Sequence, residues 1–128
     1  MEGITEGVNK MSVSETQKRN RIQVSNTKKS LFFYVNLSKR YMQQYNEVEL
    51  SALGMAISTV VTIAEILKNN GFAVEKKIRT LTVDMRDEPG ARSIPKAKIE
   101  IVLGKTEKFD ELMAAEAEQN GDNNEQQN

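Results

Sequence analysis

Two adjacent lysines, Lys28 and Lys29, stand immediately before the most aromatic stretch of the chain, in the sequence N-T-K-K-S-L-F-F-Y-V at residues 26–35. Lysine ammonium groups bind phosphate as compact positive charges. The first N–H groups of a helix lack backbone partners and also favour an anion, and Ser30 is a suitable N-cap for a helix that begins here. The pattern predicts a phosphate-binding site, and solubilising charges at the edge of a buried segment are the alternative interpretation.

A second helix start and a basic hairpin add to these positive charges. At Gly54 a phosphate could approach a helix N-terminus without a Cβ in the way. The candidate nucleic-acid-binding residues beyond the two lysines are Gly54, Arg86, Arg92, Lys96 and Lys98. Three separated positive elements fit a polyanion better than a small phosphate ligand. Each element by itself is equally well explained as the solvation of a loop or of an exposed strand face.

The residue types of the chain argue against catalysis. Histidine and cysteine are both absent, which removes the commonest general base, thiol nucleophiles, and imidazole or thiolate metal ligands. Neither a G-x-x-x-x-G-K-[ST] loop nor a G-x-G-x-x-G turn occurs, so the common nucleotide-binding motifs are missing. We therefore expect no catalytic residues, no metal site and no cofactor, and we predict that the protein is not an enzyme.

The net charge of zero conceals a partition of the charges along the chain. Residues 21–105 carry fourteen bases against eight acids, a net charge of +6, whereas residues 106–128 carry one base against seven acids, a net charge of −6. A basic domain indicates a polyanionic partner, although solubility alone is the other explanation. Seven tethered acids are expected to compete with nucleic acid for the basic domain.

The sequence contains neither a run of about 18 apolar residues nor the pattern of a signal peptide at its start. The absence of cysteine also fits a reducing compartment. We therefore expect no membrane partner and an intracellular location, in the cytoplasm, the nucleus or both.

The hydrophobic pattern predicts an α+β fold with the order β-α-β-α-β-β. The first four predicted elements are a short strand at 21–25, a helix from Leu31 to about Asn46, a strand from Glu47 to Ala52 and a helix from Gly54 to Gly71. A strand from Val74 to Arg86 follows, with Leu81, Val83 and Met85 inward. The last strand has Ala97, Ile99, Ile101 and Leu103 inward. The turn signal Pro89-Gly90 makes the last two strands a hairpin. One sheet with both helices on one side gives a two-layer sandwich.

The composition divides the chain into three parts. We predict a flexible N-terminal arm at residues 1–20, a nucleic-acid-binding domain at 21–105, and an acidic, Gln/Asn-rich disordered tail at 106–128 that begins with a short helical possibility. The second helix is more apolar than a surface helix requires. It either packs against another subunit as well as the sheet, or lies deep in a monomer.

Three stretches of the sequence resemble the Alba family of nucleic-acid-binding proteins. T-K-K-S-L-F-F-Y-V is similar to the family's G-K-K-P-x-x-x-Y-V, which aligns Lys28 and Lys29 with the family's paired lysines. L-G-M-A-I-S-T-V-V-T-I-A-E-I-L-K-N is similar to R-G-R-A-I-S-x-A-V-x-x-x-E-I-x-x-N, and K-I-E-I-V-L-G-K is similar to the final T-I-E-I strand. Arg92 takes the position of a hairpin arginine.

The resemblance implies an Alba-like fold, which is shared with the C-terminal domain of the bacterial third translation initiation factor. It also implies a dimer whose extended β3-β4 hairpins form arms, with Lys28 and Lys29 between them on the binding surface. The aromatic residues that follow the lysines are then expected to lie mostly in the core.

The sequence departs from the family pattern at several positions. Leu53-Gly54-Met55 replaces Arg-Gly-Arg, a second hairpin arginine is missing near Arg92, and Gly71 replaces an aromatic residue. These departures argue against tight DNA coating. We expect sequence-tolerant nucleic-acid binding by a homodimer or heterodimer with a related chain, with RNA favoured and DNA as the other candidate. The alternative is a structural subunit of a ribonucleoprotein of the ribonuclease P or mitochondrial-RNA-processing type.

Overall fold

The computed structural model describes residues 20–25, 29–86 and 88–127. Its elements, in chain order, are β1 (Arg21–Gln23), α1 (Leu31–Tyr45), β2 (Glu47–Leu53), α2 (Ile57–Asn69), β3 (Ala73–Met85), β4 (Ile94–Lys105) and α3 (Phe109–Gln127). The predicted β-α-β-α-β-β order is confirmed, and α3 follows it. The predicted N-terminal arm lies outside the described residues except for Asn20. None of the described helices is long and apolar enough to cross a membrane.

The four strands form one mixed sheet in the order β1-β2-β4-β3. β1 runs parallel to β2, whereas β4 is antiparallel to both of its neighbours. The parallel pair is possible because α1 crosses over between β1 and β2. The short edge strand β1 and the long edge strand β3 therefore flank a central β2-β4 pair.

The core lies between one face of this sheet and the helices α1 and α2. Alternate residues of the central strands point into it, because successive side chains of a strand lie on opposite faces. The fully buried core side chains include Val48, Leu50, Leu103 and Ile101 from the sheet and Met42, Val60, Ile63 and Leu67 from the two helices. The inward positions predicted for Ile99, Ile101 and Leu103 of β4 are confirmed. Ala97, predicted to share this inward face, is exposed because it lies past the end of β2.

Local capping fixes the ends of α1 and the start of α2. The Ser30 hydroxyl accepts a hydrogen bond from the N–H of Phe33, as expected of an N-cap. At the other end, Asn46 adopts a left-handed conformation with φ of 71°, and its N–H donates to the carbonyl of Met42. The predicted start of the second helix at Gly54 is a short 3₁₀ turn, Gly54–Ala56, and the α-helix begins at Ile57.

The prediction that Leu81, Val83 and Met85 of β3 point inward is wrong. The strand contains a bulge between Glu75 and Lys77, where the pairing with β4 shifts by one residue. Because a shift of one residue moves all following side chains to the other face, Leu81 and Val83 lie on the open face of the sheet, on the same side as Lys98. An unbulged strand continuing from the buried Ala73 would have pointed them toward the helices.

The segment predicted to be a disordered tail forms α3, and this helix is anchored in the core at its first residue. Phe109 is fully buried, and its ring packs edge-to-face on Phe72 with 6.0 Å between centroids. Further along the helix, both Glu116 carboxylate oxygens accept from the buried ammonium of Lys39 at 2.9 Å. Packing therefore continues past Lys105, the predicted end of the domain. Phe109, Leu112 and Met113 have the i, i+3, i+4 spacing of one helix face, and all three pack in or against the core.

Candidate nucleic-acid interface

The three predicted positive elements leave the sheet at the same edge. β1 and β2 are parallel, so the loop after Gln23 and the turn after Leu53 both start at the edge where these two strands end. The first loop leads to Lys29 and the second to Gly54. β2 ends opposite Lys98 of β4, so the β3-β4 hairpin continues beyond the same edge. The topology thus brings together segments that lie far apart in the sequence.

A cleft of about 400 Å³ separates the starts of α1 and α2 at this edge. Lys29, Ser30 and Leu31 line one side, and Ser58, Thr59 and Thr62 line the other. Lys29 is exposed, and its ammonium lies 5.2 Å from the ring centroid of Phe33, within the range of a cation–π contact. Lys28 lies outside the described residues. The described residues that line the cleft include one cation and no acid, which suits an anionic ligand.

Gly54 is required for the turn that starts the second of these segments. Its φ is +55°, a left-handed conformation that residues with a Cβ rarely adopt. No heavy atom lies within 4 Å of the position that a Cβ would take, so this backbone is open to an approaching ligand. Met55, which follows it, is 82% exposed. The apolar side chain therefore stands in solvent where the family pattern has an arginine.

The hairpin extends past the end of β2 as a two-stranded arm. Four residue pairs, from Thr82 with Ala97 to Met85 with Ile94, have no partner in β2. At about 3.3 Å per residue this arm is roughly 13 Å long. Arg86 and Arg92 are exposed beyond its last pair, so the predicted hairpin arginines lie at the tip of the arm.

Lys96 and Lys98 lie on the open face of the sheet, opposite Val83 and Leu81 of β3 respectively. Lys98 is partly enclosed, and its ammonium lies 3.6 Å from a carboxylate oxygen of Glu100. It therefore belongs to an ion network on this face as well as to the base of the arm. A phosphate bound here would compete with that carboxylate.

Glu100 is the centre of this network. The guanidinium of Arg21 donates to one carboxylate oxygen at 2.6 Å, and that of Arg79 donates to the other at 2.9 and 2.6 Å. Burial by itself raises the pKa of Glu100, but the hydrogen bond from Arg79 and the charges of Arg79, Lys98 and Arg21 outweigh it and hold the pKa below its ordinary value. Glu100, Arg21 and Arg79 line a cavity of about 350 Å³ on the open face.

Nothing in the sequence predicted that Arg21, Arg79 and Glu100 form a group. The alternation K-I-E-I in β4 places Glu100 on the same face as Lys98, which is the one sequence signal for it. The partners come from two other strands, and the bulge in β3 decides that Arg79 reaches this face. Pairing across strands is set by register, which the sequence alone does not specify.

The expectation that the aromatic residues after the lysines lie mostly in the core is wrong for two of them. Phe32 is 66% exposed and Phe33 is 41% exposed, whereas Tyr34 is buried. The Tyr34 hydroxyl donates to the carbonyl of Ser25. On a helix, consecutive residues point about 100° apart. Because Tyr34 and Val35 face the core, the two phenylalanines face solvent beside Lys29.

The described residues contain no group of three or more acidic, histidine or cysteine side chains that could hold a metal ion. What this edge of the sheet offers is positive charge, exposed aromatic rings and backbone at two turns. That arrangement can neutralise phosphates along a strand of nucleic acid.

Comparison with known proteins identifies this architecture. A family model described as Alba matches residues 20–84. The chain belongs to the Alba family. Alba proteins bind nucleic acids and form oligomers, and the Alba domain is generally a binding domain without catalytic activity. The match includes Lys28, Lys29 and Gly54, and it ends within β3, before Arg86 and the other cations of the hairpin.

Solved Alba structures share the fold. The crystal structure of ALBA1 from Trypanosoma brucei is similar with a TM-score of 0.64 and 30% identity, covering 85% of this chain and 93% of that one. Alba from Thermoplasma volcanium is similar with a TM-score of 0.59 and 28% identity, covering 67% of this chain and all of the other. The uncharacterized protein At2g34160 of Arabidopsis thaliana is 72% identical over 123 residues, which is 95% of each chain.

Proposed function

We propose that this Alba protein binds RNA, and DNA less well, without strong sequence preference, as a dimer. The observation that carries the proposal is the shared sheet edge, where the loop before α1, the turn at Gly54 and the hairpin arm all emerge. A strand of nucleic acid crossing that edge meets positive charge from Lys28, Lys29 and the arm. The candidate contacts are Lys28, Lys29, Gly54, Arg86, Arg92, Lys96 and Lys98. Such a partner fits a location in the cytoplasm, the nucleus or both.

RNA is favoured over DNA because the positive charge at this edge is limited. Met55 stands in solvent where the family pattern has an arginine, and Lys98 is already engaged with Glu100. Coating of duplex DNA requires many phosphate contacts. A surface with fewer cations is better suited to RNA that displays unpaired segments, where other contacts add to affinity.

A dimer is supported by two exposed apolar side chains on the helix-covered side of the sheet, away from the ion network on the open face. Val61 on α2 is 41% exposed, and Ile78 on the edge strand β3 is 52% exposed. Because Ile78 pairs with the buried Ile101, it lies on the helix-covered face of the sheet, and α2 packs against β3. We expect Val61→Glu/Ile78→Glu to convert the dimer to a monomer in light scattering. Val74→Glu, on β3 but on the open face, is the matched control.

The experiment that tests the proposed function is a titration of the full-length protein with labelled single-stranded RNA and duplex DNA at several salt concentrations. We expect log affinity to fall steeply with log salt concentration, and RNA to bind more tightly than DNA. A slope near zero, or no binding at low salt, would contradict the proposal.

A second candidate function is a structural subunit of a ribonucleoprotein of the ribonuclease P type, in which the chain pairs with a related Alba chain. The exposed Val61 and Ile78 favour it, because an apolar surface of this kind fits a protein partner. A stoichiometric Alba-like partner that remains bound after ribonuclease treatment, together with weak RNA binding by the isolated protein, would favour this function over the first.

A further inference from the structure

Phe32 and Phe33 form an exposed aromatic pair at the first turn of α1. Large aromatic rings normally lie in a core or an interface because their burial is favourable, yet these two are 66% and 41% exposed. Phe33 makes an edge-to-face contact with the buried Tyr34, with 5.4 Å between ring centroids, and its centroid lies 5.2 Å from the ammonium of Lys29. The pair is therefore an exposed apolar surface beside a positive charge.

The surroundings of the pair distinguish it from a protein interface. Protein interfaces of standard size bury about 800 Å² on each partner, and their centres are depleted of lysine. Here, Lys29 lies three residues before Phe32 in the chain, and the neighbouring cleft is lined by hydroxyl groups of α2. The exposed aliphatic residues Val61 and Ile78, which suit a protein partner, are on α2 and β3.

We infer that Phe32 and Phe33 are a stacking platform for unpaired nucleobases, and that Lys29 binds the phosphate beside the stacked base. The inference rests on the proposed function and names its ligand class as single-stranded nucleic acid. The face of a base is accessible only where the base is unpaired, so a continuous duplex cannot use the platform. Every base has such a face, so stacking adds affinity without adding sequence preference.

The position of the rings in the fold agrees with this inference. They follow Lys29 at the sheet edge from which the hairpin arm also extends. A strand that lies across this edge can place its phosphates toward the cations and its bases on the rings. The folded domain has no evident need for the two side chains, because the helix face that contains Tyr34 and Val35 already supplies the core.

The test compares Phe32→Leu/Phe33→Leu with Phe32→Tyr/Phe33→Tyr in the full-length protein. The leucine variant keeps apolar side chains but removes the rings, and the tyrosine variant keeps the rings. The probes are labelled single-stranded oligoribonucleotides and oligodeoxyribonucleotides of 15 residues and a 15-base-pair duplex. We expect the leucine variant to lose about tenfold or more in affinity for both single strands and less than twofold for the duplex. The tyrosine variant is expected to stay within about threefold of the parent protein.

Two readouts separate stacking from a structural role. Quenching of 2-aminopurine in the single strand on binding is expected for the parent protein and the tyrosine variant and not for the leucine variant. The salt dependence of binding is expected to be unchanged in the leucine variant, because no phosphate contact is removed. An equal loss for duplex and single strand, or a change of oligomeric state, would overturn the inference.

The outcomes also separate this inference from the proposed function. If the parent protein binds single strands with a steep salt dependence and the leucine variant binds equally well, the stacking platform is refuted and the phosphate-binding function stands. If the parent protein binds neither single strand nor duplex at low salt, the proposed function fails, and the inference fails with it.

Discussion

Arg79 and Glu100 lie directly opposite each other on β3 and β4, and two guanidinium N–H groups of Arg79 donate to the same carboxylate oxygen at 2.9 and 2.6 Å. The other oxygen of Glu100 accepts from Arg21 on β1. One carboxylate thus joins strands at both edges of the sheet across the central pair. Only the bulge in β3 gives Arg79 this position.

We expect Glu100→Gln to lower the free energy of unfolding by about 1–3 kcal/mol at neutral pH, because hydrogen bonds to charged groups are among the stronger ones and two guanidinium groups lose their counter-charge. Glu75→Gln is the control. It removes an exposed ion pair with Lys68, and we expect it to lower the free energy of unfolding by less than about 1 kcal/mol. Urea denaturation measures both variants, and equal losses would contradict the central role of Glu100.

The effect of Glu100→Gln is expected to depend on pH. The pKa of Glu100 in the folded protein lies below its ordinary value of 4.5. Its ionised form therefore stabilises the fold above that value, and this contribution is lost as pH falls through the lowered pKa. The difference in unfolding free energy between the parent protein and the variant should be constant down to about pH 5.5 and should shrink below it. A difference that persists unchanged at the lowest pH where both fold would contradict this.

Phe109→Ala is expected to lower the free energy of unfolding by about 3–5 kcal/mol, because Phe109 is fully buried and its removal leaves a cavity beside Phe72. Phe32→Ala removes the same side chain from an exposed position and should change stability by less than about 1 kcal/mol. Thermal or urea denaturation measures the free energy of unfolding of both variants. Equal, small effects would place the end of the folded domain near Lys105, as the sequence predicts.

Lys28→Ala/Lys29→Ala is expected to weaken binding to all sequences and to reduce the slope of log affinity against log salt by about 1.4 for single strands and 1.8 for duplex. Lys76→Ala/Lys77→Ala is a matched control, because it removes an adjacent lysine pair at the end of the sheet farther from the interface, where Lys76 pairs with Glu47. If the two variants have equal slopes, the effect is general charge and not a local site.

The acids of α3 are expected to oppose nucleic-acid binding. The helix starts beside Phe72 and passes Lys39, so it runs along α1 toward the interface. Neutralising Glu111, Glu118, Asp122 and Glu125 to their amides leaves Phe109 and Glu116 in place. We expect about threefold to tenfold tighter RNA binding at low salt, from roughly 0.2–0.3 kcal/mol of binding free energy per neutralised charge. The gain should disappear near 0.5 M salt, where charges are screened, and no gain at low salt would show that the acids only aid solubility.

Much of the fold could be predicted because its elements carry strong local signals. Ser30 marks a helix start, and the alternation from Val48 to Leu50 and from Ile99 to Leu103 marks two strand faces. The similarity to Alba proteins fixed their order in space. The positive residues of the interface were equally visible, because charge type is a property of each residue by itself.

The positions of Leu81, Val83, Phe109 and the two phenylalanines Phe32 and Phe33 were decided by tertiary structure. The alternation of β3 gives no sign of a one-residue bulge, yet the bulge moves every following side chain to the other face of the sheet. Phe109 is buried because it packs against Phe72, which lies far away in the chain. The sequence by itself determined which residues are apolar, charged or turn-forming. Register and packing between distant segments decided which of them face the core, the ion network or the nucleic acid, because those choices depend on partners that lie far away in the chain.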